Sequence, residues 1–106
     1  LKNDTFREIA ESPWHSTPGT NVHPDGITYY STMFKNLSDP SVTGGKILGG
    51  KTGFTNAAGS CLASFAEIEG VEYILVTAGA MDGGTPNITD AVTVYNRLGE
   101  AAQALK

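Results

Sequence analysis

Gly44-Gly45-Lys46-Ile47-Leu48-Gly49-Gly50-Lys51-Thr52-Gly53-Phe54-Thr55 decides how this chain is read. Glycine, cation and hydroxyl stand together here with no turn to explain them. Two incompatible structures compete for the stretch. Gly45 to Thr52 satisfies the G-x-x-x-x-G-K-[ST] pattern of a phosphate-binding loop, where a helix begins at the Lys-Thr pair and offers its N–H groups to the phosphates. That loop needs a buried strand before it, and Ser38-Asp39-Pro40-Ser41-Val42-Thr43 is not one. It needs a helix after it, and Gly53 is a poor third residue for a helix. Ile47-Leu48 would also be an apolar pair in a loop meant to wrap phosphates. The better reading is an extended strand over residues 47–55, and a P-loop NTPase remains only the remote alternative.

Downstream of it, Asn56-Ala57-Ala58-Gly59 is a tight turn. A second strand is expected over residues 60–68, with Cys61, Ala63 and Phe65 on one side and Leu62, Ser64, Ala66 and Ile68 on the other. Glu69-Gly70 turns the chain again, and a third strand is expected over residues 71–80. Short turns make the three antiparallel neighbours. Both faces of the third are apolar, which predicts an interior strand of a sheet covered on both sides. Asp82 to Asn87 reads as a loop with Asn87 capping a last helix over residues 88–105. Ile88, Ala91, Val92, Tyr95, Leu98, Ala102 and Leu105 form its apolar stripe. Gly99 weakens that helix by about 1 kcal/mol relative to Ala.

Upstream, Asn3 caps a short helix that stops before Ser12-Pro13. Pro13 to Gly26 is a loop or loose hairpin carrying His15 and His23, with only Asp25 nearby, so no metal site is expected there. Tyr30, Met33, Phe34 and Leu37 are spaced as one helical face, which predicts a short helix within residues 27–37. The fold class is therefore mixed α/β, of the α+β type: an antiparallel sheet with the C-terminal helix packed on it. One long helix covers one face, so the cover of the other is expected to be missing. An exposed apolar patch and self-association to hide it follow from that.

The chain has 106 residues, room for one small core. Its net charge of -4 argues against nucleic acid as a bulk partner. Cys61 is the single cysteine, so no intrachain disulfide forms. No apolar run reaches the roughly 18 residues of a membrane helix.

On a strand, each residue of Lys51-Thr52-Gly53-Phe54 has a use at a cleft. Lys51 supplies positive charge for a carboxylate. Thr52 adds a hydroxyl donor. Gly53 removes a side chain so that an extended peptide can lie against the backbone. The Phe54 N–H is free to act as an oxyanion donor.

Gly49-Gly50-Lys51-Thr52-Gly53-Phe54-Thr55, followed by Ala57-Ala58-Gly59 and a strand of small residues, resembles the Lys-Thr-Gly strand and hairpin of serine-type D-alanyl-D-alanine carboxypeptidases, the low-molecular-mass penicillin-binding proteins. The likeness covers most of the chain and is sharpest from Gly49 to Gly59. It implies a fragment of the β-lactamase/transpeptidase-like fold. It also implies an enzyme that removes the terminal D-alanine from peptidoglycan stem peptides through an acyl-enzyme. Lys51, Thr52, Gly53 and Thr55 would then be substrate-binding, and the Phe54 N–H would sit in the oxyanion hole. Peptides ending in D-Ala-D-Ala and β-lactam antibiotics would be the partners of the intact enzyme. No metal and no organic cofactor are implied, and the location would be extracytoplasmic, in a bacterial cell envelope.

The nucleophile is missing. Three residues after the serines stand His15, Gly19, Phe34, Ser41, Gly44, Ala63 and Glu67, so no Ser-x-x-Lys exists. No Ser-x-Asn or Tyr-x-Asn exists either. Residues 1–106 are therefore expected to be one partial domain, the C-terminal portion of the catalytic domain, inactive alone. A β-lactamase-like or transpeptidase relative shares the same strand. A non-catalytic module that captures a peptide C-terminus is the alternative outside the enzymes.

Overall fold

The computed structural model describes residues 1–80 and 86–105. Most of the loop expected over Asp82 to Asn87 falls outside them. The elements run α1 (Asp4–Glu11), β1 (Trp14–Ser16), β2 (Thr28–Tyr30), α2 (Thr32–Asn36), β3 (Ser41–Val42), β4 (Gly45–Thr55), β5 (Gly59–Ile68), β6 (Val71–Ala80) and α3 (Pro86–Ala104). The result is a mixed α+β fold. Its centre is an antiparallel sheet in the order β3-β4-β5-β6, with α3 against it.

The three long strands stand where alternation and turn residues place them. Glu69 and Gly70 both have positive φ, 52° and 78°, the mirror-image turn that matches strand twist in a two-residue hairpin. Gly59, at φ 70°, opens β5 after the Asn56-Ala57-Ala58 turn, which the Thr55 hydroxyl closes by accepting the Ala58 N–H at 2.9 Å.

Leu62, Ala66 and Ile68 of β5 and Ile47 of β4 share one face with Met33 and Leu37 and with Ile88, Ala91 and Tyr95 of α3. This is the core. At its centre the Ser64 hydroxyl and the Tyr95 phenol share a hydrogen bond of 2.9 Å, both groups fully buried. Burial pushes the Tyr95 phenol above its ordinary pKa, so it stays neutral and the pair costs no buried charge. Gly99 is not a weak point of α3. A Cβ there would lie 1.8 Å from the Thr43 carbonyl oxygen, so glycine is what lets α3 approach the β3–β4 turn. Asn96 fixes that approach by accepting the Thr43 N–H at 2.8 Å.

Five expectations need correction. Among the described residues β6 is not an interior strand: it lies at the sheet edge, and none of its residues is buried. Asn87 does not cap α3. It lies within the helix, which begins at Pro86, and its Nδ2 donates to the Cys61 carbonyl of β5 at 3.0 Å. Proline suits a first helical position because its missing N–H has no partner there anyway. Leu105 does not extend the apolar stripe of α3. It lies beyond the helix and is exposed. The helix expected within residues 27–37 is confined to Thr32–Asn36, because Thr28–Tyr30 pairs with Trp14–Ser16 as a small hairpin and leaves Tyr30 exposed.

The last correction concerns the second face of the sheet, which is partly covered. There Arg7 of α1 stacks 5.6 Å above the Phe65 ring and holds both Glu72 carboxylate oxygens, at 2.7 and 2.9 Å. Its hydrogen bonds hold the Glu72 carboxyl below the ordinary glutamate range.

Candidate functional site

The candidate site is the second half of β4. Lys51 and Thr52 lie in mid-strand, paired with Ala63 and Leu62. The helix start that a phosphate-binding loop requires is absent at this pair, so the P-loop reading is overturned.

Side chains alternate across the strand. Lys51 and Gly53 share the face of Ala63 and Cys61, while Thr52 and Phe54 share the face of Leu62 and Ser60. Lys51, Gly53 and Phe54 are exposed and Thr52 is half-buried. Lys51 makes no ion pair among the described residues; its Nζ donates to the Thr52 carbonyl at 2.6 Å. A Cβ built on Gly53 meets nothing within 4 Å.

The strand's outer edge is open over this half. β3 pairs only with Gly45 and Lys46, so nothing among the described residues is laddered to the outer side of Lys51 to Thr55. A one-residue register shift at Leu48 decides which backbone groups face that edge. Before the shift, Ile47 aims its N–H outward, to the Pro40 carbonyl at 2.8 Å. Backbone groups alternate sides along an antiparallel strand. An unbroken strand would therefore turn Gly49, Lys51 and Gly53 outward. The extra residue reverses the parity, and Gly50, Thr52 and Phe54 face the open edge instead. The Thr52 carbonyl, reached by Lys51 Nζ, is one of these groups, and the Phe54 N–H is another.

The sequence brought Lys51, Thr52, Gly53 and Phe54 together by adjacency, and the fold keeps them on one accessible edge. Thr55 ends the strand, and its hydroxyl accepts the Ala58 N–H that closes the turn while keeping its own proton to donate. What the sequence could not offer was the bulge. Leu48 carries no signal for it, yet it sets which amide is presented.

No serine joins this edge as a nucleophile. Ser64 is bonded to Tyr95 inside the core, and Ser60 faces the Phe54 side of the hairpin with no lysine three residues on. Among the described residues no three His, Cys, Asp or Glu side chains gather as metal ligands would. A shallow depression of about 380 Å³ lies elsewhere, lined by Pro13, Trp14, Tyr30, Ser31, Phe34 and Lys35.

No protein-family model, no curated protein and no solved structure matches this chain.

Proposed function

We propose that the open edge of β4 from Lys51 to Phe54 binds an extended peptide ending in a free carboxylate. We further propose that it is the substrate wall of a serine D-alanyl-D-alanine carboxypeptidase acting on peptidoglycan outside the cytoplasmic membrane. One observation carries this reading: a strand edge with outward backbone groups at Thr52 and Phe54, an uncompensated lysine beside it, and empty space where the Gly53 side chain would be.

The chemistry follows from those groups. An extended peptide adds to the edge as a strand would, exchanging hydrogen bonds with the outward groups of β4. Lys51 Nζ leaves the Thr52 carbonyl for the stronger acceptor, the peptide carboxylate, since charge-assisted bonds are roughly twice as strong as neutral ones. The Thr52 hydroxyl donates to the same carboxylate. The Phe54 N–H points at the carbonyl that will be attacked and stabilises its oxyanion, the kind of contact worth roughly 3–4 kcal/mol in the transition state. A serine supplied from outside these 106 residues attacks that carbonyl, the terminal D-alanine leaves, and water releases the acyl-enzyme.

The test is amide NMR of the chain titrated with a short peptide ending in D-Ala-D-Ala, in parallel with the same peptide amidated at its C-terminus. Shifts centred on Lys51 to Phe54 that require the free carboxylate are expected. Equal shifts with the amidated peptide, or shifts centred elsewhere, would overturn the reading. Fluorescent penicillin is expected to leave no covalent label on this chain, which lacks the serine.

A further inference from the structure

A buried asparagine stands behind the binding edge. Asn87, in the first turn of α3, is 6% exposed, and its Nδ2 donates to the Cys61 carbonyl of β5 at 3.0 Å. A polar side chain costs free energy in such a place unless it is bonded, so the partner it takes is informative. Cys61 stands opposite Gly53 of β4. Thr52 and Phe54 face the open edge, so Gly53 faces inward, and Gly53 and Cys61 are a bonded pair of the ladder. The Cys61 carbonyl therefore takes the Gly53 N–H on one lone pair and the Asn87 amide on the other.

Gly53 has little else to hold it. It has no side chain to pack, and a Cβ built on it would meet nothing within 4 Å. Among the described residues nothing is laddered to the outer side of the strand at this level. Glycine also has the most backbone freedom to lose. The β5–β6 ladder is interrupted behind the same point. Ala78 and Gly79 together stand opposite Cys61, and the Gly79 N–H bonds to the Ala58 carbonyl at 2.7 Å. The Asn87 bond falls at that interruption and ties β5 to α3 there.

We propose that Asn87 is a positioning residue for the edge of β4. By holding the Cys61 carbonyl it fixes the Gly53 N–H, and through Gly53 the adjoining Phe54 N–H that the edge presents. Donors held in place beforehand need no reorganisation when charge develops on a bound carbonyl. The use of this tie rests on the carboxylate-binding reading, while the tie itself is a property of the free chain.

Amide exchange of the free chain, in Asn87→Ala and in Ile88→Val, is the test. Ile88→Val loosens the packing of the same helical turn without touching Cys61, so it reports what destabilisation alone does. The reference is the Ser64 N–H, paired with Leu75 in the middle of the sheet. Asn87→Ala should speed Gly53 exchange by about three- to tenfold more than Ser64 exchange, the equivalent of one lost hydrogen bond. Ile88→Val should change both alike. Equal changes at Gly53 and Ser64 in Asn87→Ala, or the same Gly53 excess in Ile88→Val, would overturn the proposal. The parent chain gives a readout that needs no variant to fold. As urea is added, the Gly53 N–H and the Asn87 side-chain amide should lose protection together and before Ser64. A Gly53 N–H that opens without Asn87, or only with Ser64, would overturn the tie. Titration with the D-Ala-D-Ala peptide keeps the two readings apart. Where the peptide binds the parent at Lys51 to Phe54, Asn87→Ala should weaken it by about threefold or more, and equal affinity would overturn the positioning role. Where it binds nowhere, the edge reading fails and Gly53 exchange still decides the tie.

Discussion

Both halves of β4 carry glycine, and for opposite reasons. In the first half, a Cβ on Gly49 would lie 2.5 Å from the Ala10 carbonyl oxygen and 2.9 Å from the Phe65 ring. One on Gly50 would lie 2.7 Å from the Ala63 carbonyl oxygen and 2.8 Å from Met33 Sδ. These glycines let α1 and α2 press on opposite faces of one strand. In the second half, Gly53 has nothing near it. Glycine weakens a strand interior through its backbone entropy. Packing inside this chain repays that cost at Gly49 and Gly50 and leaves it unrepaid at Gly53. The contrast separates glycine that serves the fold from glycine that serves something brought to the fold.

Substitutions can break or sharpen that contrast. Gly49→Val should have the largest effect. The added side chain meets backbone and a buried ring, so α1 must lift, at a cost of about 1–3 kcal/mol or more in chemical denaturation. Gly50→Ala should cost about 1–2 kcal/mol, because Met33 Sδ can shift while the Ala63 carbonyl oxygen and Ser64 Cα, 2.7 and 3.1 Å from the added Cβ, are backbone. Gly53→Ala should change stability by no more than about 0.5 kcal/mol yet weaken binding of a carboxylate-terminated peptide in the NMR titration. A large loss of stability there would erase the distinction between the halves. Lys51→Met should likewise leave unfolding unchanged and abolish the preference for the free carboxylate over the amide.

The smallest effect concerns the clamp that holds α1 on Gly49. The folded-state pKa of Glu72 is depressed, chiefly by the hydrogen bond from Arg7. Its stabilisation is therefore present above the ordinary glutamate pKa and is lost as pH falls through the depressed folded value. Glu72→Gln should remove that portion of the acid dependence, measured by urea unfolding across the acidic range. An unchanged pH profile would mean that α1 is held by contacts other than this pair.

Much of this was legible in the chain itself. Residues 45–80 announce strands and turns because side-chain alternation and positive-φ turn positions are properties of neighbours in sequence. The adjacency of Lys51, Thr52, Gly53 and Phe54 was legible for the same reason. The tyrosine pattern misled, since Tyr30, Met33, Phe34 and Leu37 fit a helical face while Tyr30 in fact pairs with Trp14 across a hairpin. Apolar residues on both faces of β6 misled too, because that pattern marks an interior strand only when other strands flank it.

Sequence by itself determined where the chain extends, where it turns and which four residues stand together on β4, because these depend on steric preferences over a few bonds. Tertiary structure alone decided that β6 is an edge, that the bulge at Leu48 presents the Phe54 amide, and that Gly49, Gly50 and Gly99 are contact points while Gly53 is not. Those outcomes rest on approaches between segments dozens of residues apart, and no local pattern encodes the distance at which two distant backbones come to rest.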